Sequence, residues 1–319
     1  MKNNPQLVDA LSIGIEIGGT KTQAGVGSAE AGLLPDGIVR RQVHREHGAE
    51  GILRDLVVMV DEVLESRNLT LADINKIGIG FGGILDSARG LTLRSYQVEG
   101  WTNFPLKEWA ERQWGRPIFM ENDASTAGLA ESILGNGRGT SRVFYITVGS
   151  GVGGGWILNG KVDNGQSLGA AEIGHMWMPD PQSGALAELE QICSGWAIGQ
   201  RARQAASKAD SLMEKLASSL DQIDAKVVYA AAEYGDEVAA RILQETCQTL
   251  GVAISNVVAL LHPERVIVGG GVSLMGPLFW NALQKEFRAR VIPTFASGVE
   301  LLPAKLSEDV VVIGALCLG

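Results

Sequence analysis

Cysteine is scarce. The chain has three, Cys193, Cys247 and Cys317, odd in number and far apart, which argues against a disulfide framework. Positive charge is also short, with 27 Lys and Arg against 36 Asp and Glu, a net charge of −9. A broad nucleic-acid surface needs clustered cations, so that class is set aside. No apolar run approaches the unbroken length of a membrane helix. No charged-then-apolar leader opens the chain, since Met1 to Asp9 is polar. The cytoplasm is the expected compartment. No low-complexity linker interrupts the sequence, and no GxxxxGK[ST] string is present, which excludes a P-loop enzyme.

What remains is an ordinary globular composition, 45% apolar and 20% charged, on a chain of 319 residues long enough for two lobes. Three glycine-rich turns stand out: Gly18-Gly19-Thr20-Lys21, Gly149-Ser150-Gly151-Val152-Gly153-Gly154 and Gly269-Gly270-Gly271. Between the first two lies Asn122-Asp123.

The organisation around them is repetitive. Leu11 to Ile17 and Thr22 to Gly27 predict strands flanking the first turn, with a third over Ile38 to Val43. Gly51 to Leu64 has apolar residues at helical spacing, and Lys76 to Phe81 returns to strand. Pro117 to Met120 is a short apolar run, and Ala124 to Leu134 reads as a helix stopped by Gly135-Asn136-Gly137. From Arg142 the opening recurs: Val143 to Val148, a glycine turn, then Trp156 to Leu158 into an Asn159-Gly160 hairpin turn. Gln200 to Cys247 predicts helices. Val266 to Val268, the third turn and Pro277 to Ala289 form strand, turn and helix. Two strand–turn–strand units heading two halves predict an internally duplicated α/β fold with a cleft between lobes.

The turns carry chemistry. Gly149-x-Gly151-x-x-Gly154 matches a dinucleotide string, but that motif must open a helix, and hairpin chemistry follows here. A hairpin turn can still hold phosphate, because successive backbone N–H groups without a Cβ in the way form an anion nest. Any one turn alone is better explained as merely tight. Three together, with Thr20 and Lys21 beside the first, point to a nucleotide, and Asp123 offers a base for an alcohol.

At this point the motifs resemble a known family. Gly14-Ile15-Glu16-Ile17-Gly18-Gly19-Thr20-Lys21, Gly100-Trp101-Thr102-Asn103-Phe104-Pro105-Leu106, Glu121-Asn122-Asp123-Ala124, Gly149-Ser150-Gly151-Val152-Gly153 and Glu172-Ile173-Gly174-His175 are similar, in order and separation, to the ROK family of sugar kinases and repressors. The resemblance runs from about Leu11 to Ile313-Gly314-Ala315. It implies a two-lobed, actin-like and hexokinase-like (ribonuclease H-like) fold, usually dimeric, closing over sugar and ATP. The expected lobes are residues 1–121 and 122–307, with the tail from about 308 packing back on the first.

Asp123 then matches the family's catalytic base, with a plain helix cap as the bland alternative. The resemblance assigns Asn122, Asp123, Glu172, His175, Glu190, Gln97, Gly82 and Gly83 to the sugar. Gly18, Gly19, Thr20, Lys21, Gly149, Ser150 and Gly151 fall to the phosphates, and Gly269, Gly270 and Gly271 border the adenosine. Glu190 reads equally well as one face of an ordinary helix with Glu188.

Departures matter too. Many members bind zinc through the histidine equivalent to His175 and three cysteines after it, but 181–188 has none, so no zinc is expected. Glu16 replaces the usual Asp, which alters the geometry toward Mg²⁺, direct or through water. Gly82-Gly83 replaces Pro-Gly and Gln97 replaces a sugar-binding Asn, which weakens any assignment of glucose. The first motif begins at Gly14, so the DNA-binding domain that precedes it in the family's repressors is not expected here. The expectation is an ATP-dependent hexose kinase, glucose first. Alternatives are N-acetylmannosamine or another hexose, polyphosphate as donor, or a sugar sensor without turnover.

Overall fold

The computed structural model describes residues 10–95, 97–166, 168–207 and 211–319. The chain opens on antiparallel β1 (Ser12–Ile17), β2 (Lys21–Ser28) and β3 (Gly32–Gln42). Then come α1 (Gly48–Glu65), β4 (Lys76–Phe81), the hairpin β5 (Ile84–Asp86) and β6 (Leu91–Arg94), and α2 (Leu106–Trp114). β7 (Ile118–Asn122) runs directly into α3 (Asp123–Ile133). The second half starts with β8 (Arg142–Val148), β9 (Val152–Leu158) and β10 (Lys161–Val162). The hairpin β11 (Trp177–Pro179) and β12 (Leu186–Glu188) leads to α4 (Leu189–Cys193) and α5 (Gly195–Ala206). α6 (Leu212–Leu216), α7 (Ala225–Glu233), α8 (Glu237–Leu261), β13 (Arg265–Gly269), α9 (Pro277–Arg288), β14 (Glu300–Pro303) and α10 (Val310–Cys317) complete it.

Two five-stranded sheets repeat one plan. The first has the order β3-β2-β1-β4-β7, the second β10-β9-β8-β13-β14. In each, a hairpin precedes strands added in parallel: β4 beside β1 and β7 beside β4, β13 beside β8 and β14 beside β13. The duplication legible in the sequence is therefore present in the topology. Asn159 and Gly160 both have positive φ, 51° and 72°, and join Leu158 to its partner Lys161, as a two-residue hairpin turn requires.

Contacts divide the chain into two units, and the division is not a single cut. The first comprises residues up to Ser141, Gly155–Ala170 and Lys305–Gly319; the second comprises Arg142–Gly154 and Ala171–Ala304. The expected break at 121/122 falls inside β7, just before its last residue Asn122, and would assign α3 to the second lobe, whereas β7 and α3 both lie in the first unit. α3 belongs there because its Thr126 backbone meets Gly314 of α10 so closely that any Cβ at 314 would collide.

α10 also explains two glycines inside strands. A Cβ on Gly14 of β1 would strike the Val312 carbonyl, and one on Gly78 of β4 would strike that of Ala315. The last helix thus lies directly on the backbone of the first sheet, with Val312, Ala315 and Leu316 fully buried. On the other face, α1 buries Ile52, Leu56, Met59, Val60 and Val63 as one stripe.

Two boundaries differ from the sequence reading. β3 begins six residues before Ile38; its first half contains Pro35 and Asp36 and lies at the sheet edge, where pairing with β2 is interrupted by a bulge, so it lacks the regular pattern of a strand. The second glycine turn is shorter than its glycine run: β9 already starts at Val152, and Gly153 and Gly154 are strand residues.

Candidate active site

The Asn-Asp pair sits where β7 becomes α3, and the two side chains have different tasks. Asn122 is the helix cap: its Oδ1 accepts from Ala124 N at 2.9 Å and Ser125 N at 3.2 Å. Its Nδ2 donates to the Gly83 carbonyl at 3.2 Å. The cap role considered for Asp123 therefore falls to its neighbour. Asp123 is the first helical residue, half-buried, with Oδ1 accepting from Ala124 N at 2.8 Å. Its other oxygen faces the Gly82 turn. A Cβ on Gly82 would lie 3.3 Å from Asp123 Oδ2 and 3.5 Å from Gly18 Cα. Asp123, Gly82 and the first glycine turn are thus gathered in one place.

That first turn is closed by Gly18 N donating to Lys21 O at 3.1 Å. Gly18 is glycine because a Cβ there would stand 2.9 Å from the same Lys21 carbonyl. Gly19 is glycine because the Gln97 side chain lies against it. Gln97 therefore covers the turn assigned to phosphate rather than standing apart from it, and its own side chain is otherwise exposed. Gly83 is pressed by the Arg94 carbonyl. Thr20 is exposed. Lys21 reaches Glu16 Oε2 at 3.9 Å and the Glu308 carbonyl at 3.3 Å.

Glu16 is buried, and burial raises its carboxyl above the ordinary range, against the opposing pull of Lys21 and of Gln23. Its Oε2 accepts from Gln23 Nε2. A carboxylate engaged by an amide and an ammonium does not fit a direct ligand for Mg²⁺. Among the described residues no group of three or more His, Cys, Asp or Glu side chains converges on a metal position. The zinc donor set does not assemble either. His175 Nδ1 is 3.4 Å from Glu188 Oε2, and Cys193 is buried with its thiol directed at the Thr246 carbonyl.

In the second unit both His175 and Glu190 lie within electrostatic reach of Glu172. Desolvation raises the Glu172 carboxyl, the His175 ring opposes this, and the charge of Glu190 adds to it. Glu190 also does something its helix position does not announce. Its Oε2 accepts from Val152 N at 2.8 Å, and the same oxygen fills the space where Gly151 lacks a Cβ. Gly195 N donates to the Gly149 carbonyl at 2.7 Å, so the segment from α4 into α5 grips the second glycine turn twice.

The third turn separates glycines required by the chain from glycines that are not. Gly270 has φ of 84°, and its missing Cβ would be 2.5 Å from the Val148 carbonyl oxygen. Gly269 lies against the Tyr145 hydroxyl. Gly149 and Gly271 are different. Neither has a left-handed φ, and no heavy atom lies within 4 Å of where their Cβ would be. Open space at both, beside half-buried or exposed backbone, suits a bound group, and Ser150 next to Gly149 is exposed.

In the first unit three further residues lie beside the Asn-Asp pair or the first turn, and the sequence reading gave none of them a role. Glu121 is buried at 7% exposure, with Oε2 accepting from Asn164 Nδ2 at 2.5 Å, and burial raises its carboxyl. Glu121 precedes Asn122, but nothing in the sequence ties it to Asn164, 43 positions away. Arg45 donates Nε to the Gly19 carbonyl at 3.2 Å, placing a cation at the first turn. A cavity of about 290 Å³ lines the first unit between Ser87, Lys107, Phe119 and Gly319; it contains none of the expected site residues.

A sequence profile described as the ROK family matches residues 12–319. A glucokinase of Thermotoga maritima is 31% identical over 308 residues, 95% of each chain. The structure is similar to a ROK family glucokinase from Streptomyces griseus in complex with glucose and AMPPNP: TM-score 0.81, 32% identity, covering 96% of this chain and 98% of that one. It is also similar to the ROK hexokinase from Thermus thermophilus, with TM-score 0.78, 29% identity and 97% of each chain covered. The fold is thus the actin-like, hexokinase-like one. A putative xylose repressor from a Caldicellulosiruptor strain matches as well, 27% identical over 281 residues, 84% of this chain and 68% of that protein.

Proposed function

The chain belongs to the ROK family, and from that premise we propose that it is an ATP-dependent hexose kinase, with glucose at its 6-hydroxyl as the first substrate. Similarity to glucokinases across nearly the whole chain supports the sugar-kinase class. The choice of glucose rests on the same relatives and is the finer part of the proposal.

The observation that carries the reading is the geometry of Asp123. Asn122 caps α3, so the carboxylate beside it is not needed for that purpose. One of its oxygens is anchored by Ala124 N, and the other is turned toward Gly82 and the first glycine turn. A hydroxyl placed there would meet a fixed acceptor at hydrogen-bond distance. Asp123 takes the proton as the hydroxyl oxygen bonds to the γ-phosphorus, while the bond from that phosphorus to the β,γ-bridging oxygen breaks and ADP leaves with the bonding electrons. A weak base suffices, because phosphoryl transfer through a loose transition state depends chiefly on position and charge. In the second unit Gly149 N donates to the Gly151 carbonyl at 2.9 Å and closes the turn, and the backbone N–H groups of Ser150 and Gly151 take phosphate oxygens. In the first unit Thr20, Lys21 and Arg45 supply a hydroxyl and positive charge at the first turn. Gly269 to Gly271 border the adenosine. Glu172, His175 and Glu190 accept from or donate to sugar hydroxyls, while Asn122 holds Gly83 in place. The proposal includes a homodimeric enzyme resident in the cytoplasm.

The rival reading is a sugar sensor without turnover, favoured by the family's repressors. A coupled assay of ADP release with glucose, mannose, fructose, N-acetylglucosamine and N-acetylmannosamine separates them. ADP release with glucose supports the kinase, while sugar binding with no ADP release from any of the five supports the sensor. Running the panel with polyphosphate in place of ATP identifies the donor.

A further inference from the structure

Glu190 places a negative charge on the very turn that the proposed function gives to phosphate. Its Oε2 accepts a 2.8 Å hydrogen bond from Val152 N and occupies the hollow left by the absent side chain of Gly151. A glycine turn becomes an anion site when its N–H groups point at an oxyanion and no Cβ intervenes. Here a carboxylate oxygen of the chain already fills one such position. Glu190 is half-buried, and the Gly195 N to Gly149 carbonyl bond holds the same turn from the same side. Gly149, two residues away, keeps its open face. The turn is therefore part occupied by an internal anion and part vacant.

We infer that Glu190 is a positioning residue that acts as a phosphate mimic: its carboxylate holds down polyphosphate affinity until sugar hydroxyls donate to it. This rests on the kinase reading. Both Glu190 and His175 lie within electrostatic reach of Glu172, so a polyol bound among the three has donors to offer the carboxylate. Hydroxyls donating to Glu190 spread its charge and compete with Val152 N for it. The N–H and the hollow at Gly151 then become available to a phosphate oxygen. By linkage, whatever sugar does for polyphosphate binding, polyphosphate does equally for sugar. The consequence is an enzyme that binds its donor poorly, and hydrolyses it little, when no acceptor is present.

The sign of the effect distinguishes this from a purely structural role. Loss of a structural brace would loosen the turn and weaken donor binding. Loss of a resident anion strengthens it. Calorimetric titration of the full chain with AMPPNP, and separately with inorganic tripolyphosphate, is done with and without saturating glucose. Glu190→Ala is expected to bind both probes about three- to tenfold more tightly than the unaltered chain when sugar is absent, on the order of one screened charge–charge contact. The gain that glucose confers on AMPPNP affinity should shrink toward one in the variant. Glu190→Gln keeps an acceptor for Val152 N and removes the charge, so it should shift in the same direction by less, and it guards against misfolding of the alanine variant. Unchanged or weaker binding of both probes by both variants overturns the inference alone. Failure of the unaltered chain to bind either probe overturns the kinase reading, and this inference with it.

Discussion

Single residues show which sequence features were about the chain and which were about something it binds. Gly270 and Gly149 look alike in the sequence, each within a glycine run. Gly270 is fixed by a left-handed φ and by the Val148 backbone, so Gly270→Ala should cost about 2 kcal/mol or more. Gly149 has room for a methyl group, so Gly149→Ala should change stability by no more than about 0.5 kcal/mol. If the open face serves a nucleotide, that same variant raises the KM for ATP at least severalfold. Thermal melts and steady-state kinetics on the two variants check this, and a destabilised Gly149→Ala with normal ATP kinetics would contradict it. The Asn-Asp pair was legible as a motif, and the division of labour inside it was not. Either residue caps a helix well, and only the strand-to-helix register decides that Asn122 takes the cap.

At the scale of elements, local patterning was the readable part. α1 and β4 came through because their apolar spacing is regular, and the Asn159-Gly160 hairpin because its turn chemistry is specific. The bonds made across long separations were not readable. Glu131 is the clearest case. It is fully buried on α3, accepting from Asn136 N at 2.9 Å, Lys305 N at 2.8 Å and Leu306 N at 2.6 Å. In the sequence it is one acid in an ordinary helix. Burial raises its carboxyl above the ordinary range, with the three N–H groups opposing. An acid whose folded pKa exceeds its unfolded one binds its proton more tightly when native. Its contribution to stability is therefore full below the unfolded value near 4.5 and declines as pH rises through the folded one. Glu131→Gln cannot titrate, so the stability gap between the unaltered chain and the variant should narrow from pH 5 to pH 8. Melts at the two values test this, and a gap that widens with pH would refute it.

For the whole molecule, the end of the chain completes its beginning. α10 buries Val311, Val312, Ala315 and Leu316 in the first unit, and Gly14, Gly78 and Gly314 exist so that backbones can touch there. At about 1.5 to 3 kcal/mol for each large apolar side chain, that is comparable with the whole stability of a typical domain. Truncation after Ala304 should thus leave the first unit without fixed packing, seen as loss of near-ultraviolet circular dichroism while helical signal persists; a natively packed truncate would contradict this. The glycines at 14 and 78 looked in the sequence like interruptions of strands, and their partner lies hundreds of residues later. In the proposed function the whole chain turns on one carboxylate at the start of α3. The decisive measurement is kcat together with calorimetric glucose affinity for Asp123→Asn, whose amide can still accept from Ala124 N. A loss of about 10³ in kcat with glucose affinity kept within about threefold is the predicted result. Turnover retained at near the original rate would contradict the role of Asp123 as the base.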